Sequence, residues 1–317
     1  MQEPLNIGID VAKAELAVGV IDHPELNATL ANTAVAITRW LRHVPHDARL
    51  AVESTGRYHR LLVDLAQAQG LETYVLNACD VHFYAKALGL RGKTDRTDAQ
   101  VISRYLREHH PYLHPFCAGS QADQRITVLL RRRAQLVGQR AALRQSLHDV
   151  PLLAAQLKTL VAQFDRVIAT IDKHIAQQTQ SEPTLAAETR RLRTIPGVGA
   201  QGATMLSCLF RRIEFKNVDA LIAFTGLDPR PMDSGQKRGL RRLSKRGAPW
   251  LRRQLYMMGF SASHSNVFQS RYDALRARGL SATAAFVILG RKLLTIAFAL
   301  WRSKKSFDSN YFLLKKA

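Results

Sequence analysis

The sequence predicts an α/β domain at the N-terminal end, followed by a long and mainly helical remainder. Three patterns carry that prediction. Short apolar runs bounded by turn residues alternate with helix-spaced segments over residues 1–118, which argues for a mixed sheet covered by helices. From Asp123 onward Leu129, Leu136, Leu143 and Val150 recur every seven residues, as in a coiled-coil seam. Beyond residue 182 the apolar spacing stays helical. The chain of 317 residues, 46% of them hydrophobic, is long enough for two domains and a proper core. The expected divisions are therefore 1–118, 119–182 and 183–317.

Taken in order, Leu5 to Asp10 (LNIGID) and Leu16 to Ile21 (LAVGVI) read as buried strands with Val11 to Glu15 as the turn. Asn32 to His43 is a helix with Ile37, Trp40 and Leu41 on one side. Arg49 to Glu53 (RLAVE) is a further strand, and a Ser-Thr-Gly turn leads into the helix Tyr58 to Gln69. Leu71 to Leu76 is the next strand and Val81 to Leu88 the next helix. A Gly-Lys-Thr turn then opens a helix in which Ala99, Ile102, Ser103 and Leu106 share an inward face.

Four carboxylates stand out in this segment. Asp10 and Glu53 each end an apolar strand, where a lone carboxylate is expensive unless donors or a cation meet it. Asp95 and Asp98, three apart, point from one helix face. Each has a plain explanation by itself: a hydrogen-bonded strand end, or a salt-bridged or solvated pair. Together, in the order D…E…D-x-x-D, they suit a ribonuclease-H-like sheet that holds two Mg²⁺ about 4 Å apart for phosphoryl transfer.

After Pro111 and Pro115 the helical stretch begins, and Pro151 divides it into a hairpin that can also pair between subunits. Its second seam is expected at Leu153, Leu157, Leu160, Phe164, Val167 and Ile171. Arg131, Arg132, Arg133, Arg140 and Arg144 there touch a phosphate backbone or form a solvated face. The turn Pro-Gly-Val-Gly, with Gly197 and Gly199, is either a plain tight turn or a helix-hairpin-helix whose backbone amides approach a DNA phosphate.

Charge points to the partner. Lys and Arg number 46 against 25 acids, a net charge of +21, which favours nucleic acid first and an acidic membrane second. From Pro229 onward there are 19 basic residues and three acids. Lys237, Arg238, Arg241, Arg242, Lys245, Arg246, Arg252 and Arg253 crowd into one acid-free stretch, enough to hold a phosphodiester and to favour a serine alkoxide. Ser234 and Ser244 lie in or beside it. The simpler account is a phosphate-binding loop with serine as a hydrogen-bond donor. Cys79, Cys117 and Cys208 have neither disulfide nor zinc spacing, which fits a reducing cytosol. Residues 284–300 are apolar but interrupted by Arg291 and Lys292, so no membrane span is expected.

The order GID, ESTG, GKTDRTDA, then IPGVG, AFTGLDPRP and RRLSKRG, resembles the DEDD insertion-sequence transposases, now understood as bridge-RNA-guided recombinases. The likeness runs from Ile7 to about Trp301. It implies a RuvC-like domain, a coiled-coil segment and a C-terminal transposase domain, in a cytoplasmic protein associated with the prokaryotic nucleoid. It further implies Mg²⁺ on Asp10, Glu53, Asp95 and Asp98, and a nucleophilic serine at Ser244 in SKRG, with Ser234 as second choice. Its implied partners are donor and target DNA, a structured guide RNA, and further copies of the chain as a dimer or tetramer. Two rivals remain at this stage: a RuvC-like junction nuclease that uses water, and a non-catalytic nucleic-acid-binding protein.

Overall fold

The computed structural model describes residues 3–54, 58–89, 94–117, 119–231, 233, 239 and 241–309. It divides into two compact units, residues 1–118 and 119–317.

The first unit is built on five strands: β1 (Asn6–Val11), β2 (Glu15–Gly19), β3 (Ala28–Ala31), β4 (Arg49–Glu53) and β5 (Glu72–Leu76). Their order is β3-β2-β1-β4-β5, with β1, β4 and β5 parallel and β2 and β3 antiparallel to their neighbours. This is the mixed sheet expected, except for β3. Its sequence ATLA is mostly exposed and carries no apolar alternation, so nothing in the residues marked it as a strand.

Alternation along β1 sorts its two faces. Ile7, Ile9 and Val11 join Leu50 and Val52 in a core closed by Ile37 and Leu41 of α1 (Ala34–Leu41) and by Leu62 and Val63 of α2 (Arg60–Ala68). The opposite face holds Ala51, Tyr74 and Leu76 against Val81 of α3 (Ala78–Ala87) and Val101, Ile102 and Leu106 of α4 (Asp95–His109).

Helix α4 lies on β1 and β2 backbone to backbone. A methyl group on Gly8 would stand 2.2 Å from the Ala99 carbonyl and from the Ser103 amide nitrogen, and one on Gly19 would stand 2.6 Å from Ala99 and Gln100. Ser103, fully buried, fastens the contact: its hydroxyl donates to the Asn6 carbonyl (2.8 Å) and accepts from the Ile21 amide (3.1 Å). We predict that Gly8→Ala lifts α4 from the sheet. Urea unfolding should show a loss of at least about 1–3 kcal/mol, the usual range for overpacking.

The second unit starts with a helical hairpin, α5 (Gln121–Ser146) and α6 (Ala154–Ser181), joined by a turn at Pro151–Leu153. The hairpin buries Val161, Ile168 and Ile175, whereas Leu160 and Val167 of the expected seam are 42% and 49% exposed. The buried seam is Val161, Ile168 and Ile175, with Leu157, Phe164 and Ile171 half-buried beside it, and ion pairs to α5 flank it. Arg133 grips Asp172 with two bonds (2.5 and 3.0 Å), and Arg140 pairs with Asp165. These arginines thus tie the hairpin together, and apolar periodicity alone does not reveal that.

Next come α7 (Pro183–Leu192), α8 (Ala200–Arg212), α9 (Val218–Thr225), a two-stranded ladder of β6 (Pro229–Arg230) and β7 (Arg242–Leu243), and then α10 (Pro249–Ser263), α11 (Gln269–Ala277) and α12 (Ala282–Ser303). Helix α12 is long and apolar enough to cross a membrane. Here it is a core helix, burying Ala285, Leu289, Leu293, Leu294, Ala297 and Phe298. It meets α10 backbone to backbone, since methyl groups on Gly259 and Gly290 would collide with the Phe286 and Leu255 carbonyls.

A charged cluster underlies α8. Asp123, 3% exposed, accepts from Arg211 Nε (3.1 Å), and the same guanidinium reaches Glu182 and Glu188. Burial first, and then the Asp123 carboxylate, push the Cys208 thiol well above its ordinary value, so it stays protonated. Arg211→Met should strand the Asp123 charge and destabilise this unit by about 3–5 kcal/mol, read as a lower denaturant midpoint.

Candidate active site

The carboxylates gather by construction of the sheet. The last parallel pair between β1 and β4 is Ile9 with Val52, so Asp10 and Glu53 each stand one residue beyond it on neighbouring strands. Strands are about 4.8 Å apart, and in-register residues of parallel neighbours point to one face. That face follows from alternation: Asp10 shares it with Gly8, whose missing methyl faces α4, and Glu53 shares it with Ala51.

Helix α4 brings the other two. Ser103 bonds at Asn6 and Ala99 touches Gly8, so α4 runs antiparallel to β1. Four helical residues and two strand residues both span about 6 Å. One turn back from Ala99 therefore sets Asp95 level with Asp10, with Asp98 between. Thr94 fixes that end: its hydroxyl accepts from the Thr97 amide (3.2 Å), and Thr97 Oγ1 accepts from the Thr94 amide (3.0 Å). Both aspartates in the first turn are favoured by the helix dipole.

Asp10, Glu53 and Asp98 are half-buried and Asp95 is exposed. Asp10 Oδ1 accepts from the Val11 amide (3.0 Å). Among the described residues no three His, Cys, Asp or Glu side chains are already drawn together around a common point. The donors are all carboxylate oxygens at one end of the sheet, the chemistry that hard divalent cations take. The set therefore matches Mg²⁺ in the kind of donor, while the described side chains are not gathered around one point.

In the second unit, Ser244 follows β7 directly and is half-buried. Pro229 pairs with Leu243, and the next residues along, Asp228 and Ser244, continue the ladder. The Ser244 amide donates to the Asp228 carbonyl (2.9 Å), and the Ser244 hydroxyl donates to Asp228 Oδ1. Lys245 takes a left-handed conformation (φ 57°), and its amide donates to the Gly226 carbonyl (3.1 Å). Methyl groups on Gly226 or Gly247 would meet backbone of the opposite segment at 2.6 and 2.3 Å. Only glycine allows the end of α9 and the loop 244–247 to lie this close.

The expected phosphate-binding residues divide. Arg242, Lys245, Arg246 and Arg253 are exposed, Arg253 lying beside Gly138 of α5. Arg241 is exposed but ion-paired with Asp233 (2.6 Å). Arg252 faces inward. It donates to the carbonyls of Lys245 (3.0 Å) and Gly247, and burial holds its guanidinium below the usual arginine value. It braces the serine loop where phosphate contact was expected, because the loop turns its carbonyls towards the start of α10. Lys237, Arg238 and Ser234 lie outside the described residues.

The Pro-Gly-Val-Gly turn joins α7 to α8. Gly197 (φ 91°) is pressed against Ala262 of α10, where a methyl would come within 2.6 Å, so close packing of this turn requires glycine there. Gly199 has open space around it, as the N-cap of α8.

Comparison with known proteins agrees with these motifs. A family described as a DEDD transposase matches residues 7–155, and the transposase IS116/IS110/IS902 family matches residues 189–273. The chain belongs to this transposase family. Two pilin gene-inverting proteins, from Moraxella lacunata and Moraxella bovis, are each 28% identical over 320 residues, covering 95% of this chain and 97% of theirs. An insertion element IS900 uncharacterized 42 kDa protein from Mycobacterium paratuberculosis is 22% identical over 386 residues, covering 95% and 96%. This transposase therefore belongs to a family of DNA-recombining proteins, and its motifs fall on the two clusters described above.

Asp228 lies in the motif AFTGLDPRP, where the sequence alone assigns it no role. Its signal was weak, because only the ladder β6/β7, two residues per strand, brings it to Ser244. The brace leads to a prediction. Arg252→Ala should lower recombination at least about tenfold while DNA affinity in a filter-binding assay changes little, since the half-buried side chain spends its donors on the loop carbonyls.

Proposed function

We propose that this transposase exchanges DNA strands by attack of the Ser244 hydroxyl on a scissile phosphate, with Mg²⁺ held by Asp10, Glu53, Asp98 and Asp95. The observation that carries the metal half is the convergence of strand ends β1 and β4 with the first turn of α4 on one sheet face. The sheet order β3-β2-β1-β4-β5, with the two carboxylate-bearing strands central and parallel, supports a ribonuclease-H-like, RuvC-like architecture. Bound there, Mg²⁺ would polarise the phosphate and stabilise the charge of the leaving oxygen.

The protein's own groups account for the rest. The loop 244–247 fixes where the hydroxyl sits, and Arg242, Lys245 and Arg246 supply positive charge around the phosphodiester. The pilin gene-inverting relatives, as their name says, invert a gene, and cutting and rejoining through a covalent serine link suits such an exchange. A structured guide RNA selects the sites in this proposal, and further copies of the chain complete the assembly as a dimer or tetramer. A surface rich in arginine and poor in aromatic residues supports reading of backbone over bases.

The test uses the full chain with DNA carrying its own element and flanking non-coding segment. Peptide mapping of the denaturant-resistant adduct should find the nucleotide on Ser244. A label on Ser234 would move the nucleophile there, and cleavage without any adduct would hand the reaction to water. Asp98→Asn should abolish strand transfer and the Mg²⁺-dependent rise in melting temperature together, while DNA binding persists. Ribonuclease treatment of protein from its own host should end activity, and undiminished recombination would refute the guide.

A further inference from the structure

Within the basic region of the second unit, the Ser244 hydroxyl is held on the carboxylate of Asp228. We propose that Asp228 is the general base for Ser244, a catalytic residue that takes the proton from Oγ as it attacks phosphorus. The inference rests on the assignment of Ser244 as nucleophile.

Three observations support it. The hydrogen bond runs from Ser244 Oγ to Asp228 Oδ1, the direction a proton would travel. The Arg246 amide stands 3.5 Å from the same Oγ, on the accepting side, which leaves the hydroxyl proton committed to Asp228. The partners are also held twice, by side chain and by the 2.9 Å bond from the Ser244 amide to the Asp228 carbonyl. Left-handed Lys245 and the glycine contacts at 226 and 247 fix the loop on its far side.

The charged side chains on the elements meeting here are Arg230 of β6, Arg242 of β7, and Lys245 and Arg246 of the loop. Among the described residues none of them forms an ion pair with Asp228, although the stretch is crowded with cations. Asp228 Oδ1 accepts from the Ser244 hydroxyl, and the Asp228 carbonyl accepts from the Ser244 amide.

The step balances without further reagents. The Oγ–P bond forms, the bond from phosphorus to the leaving-strand oxygen breaks, and the Oγ proton passes to Asp228 Oδ1. The leaving oxygen takes a proton from water. When the hydroxyl of the incoming strand attacks, it gives its proton to water, the Oγ–P bond breaks, and Asp228 returns its proton to Oγ.

The experiment measures the rate of adduct formation by the full chain, on DNA carrying its element, from mildly acidic to alkaline pH. Asp228→Asn keeps a hydrogen-bond acceptor at Oδ1 but cannot take a proton. It should slow adduct formation about 100-fold or more, the usual contribution of general base catalysis, and remove the acidic limb of the profile. Asp228→Ala should be similarly slow and should recover rate with added formate. An Asn variant within about threefold of wild type, with an unchanged profile, overturns the inference while Ser244 keeps its role. So does an Ala variant that binds DNA normally and ignores formate. An adduct that survives Ser244→Ala removes the nucleophile assignment itself, and Asp228 with it.

Discussion

The first unit depends on a contact that contains no side chain on one of its sides. Gly8 and Gly19 let α4 settle onto β1 and β2 at backbone distance, and that depth sets the helix's height, roll and direction. A larger residue at either position would hold α4 away from the strands, and the level match between its first turn and Asp10 would be lost. The buried Ser103 hydroxyl fixes the slide of the helix along the strand. Placement of the carboxylates is thus a consequence of packing, and the acidic residues follow the scaffold.

The second unit uses the same device for another purpose. Gly226 and Gly247 let two short segments approach through their backbones, and a ladder of two residues per strand then sets Asp228 opposite Ser244. So small a ladder has little stability of its own. Its rigidity comes from Arg252, which ties the loop carbonyls to α10, and α10 is in turn locked to α12 at Gly259 and Gly290. The geometry of the serine therefore descends from the core of the unit through a series of close backbone contacts.

Much of this was legible in the residues. Asp10 and Glu53 were readable because an acid ending an apolar run is costly, and Asp95 and Asp98 because three-residue spacing puts them on one helix face. The strand β4 and the helix α9 fall where their spacing and flanking turns put them. What stayed hidden depends on partners distant in sequence. The seam of α6 runs through Val161, Ile168 and Ile175, one residue round from Leu160 and Val167, which look like seam residues and are exposed. Arg252 and Gly197 belong to motifs that suggest phosphate, yet each is turned inward by its neighbours. Strand β3, with no apolar pattern, is held at its edge by pairing with β2 alone.

The interlock of α10 with α12 also bears on how the protein is made. Helix α12 leaves the ribosome after α10, and until it arrives α10 lacks the backbone that Gly259 and Gly290 let it close against. A polypeptide stopped short of residue 282 would thus carry the acidic cluster complete while lacking a settled serine loop. Premature termination there would leave α10, and the loop that Arg252 ties to it, without their packing partner.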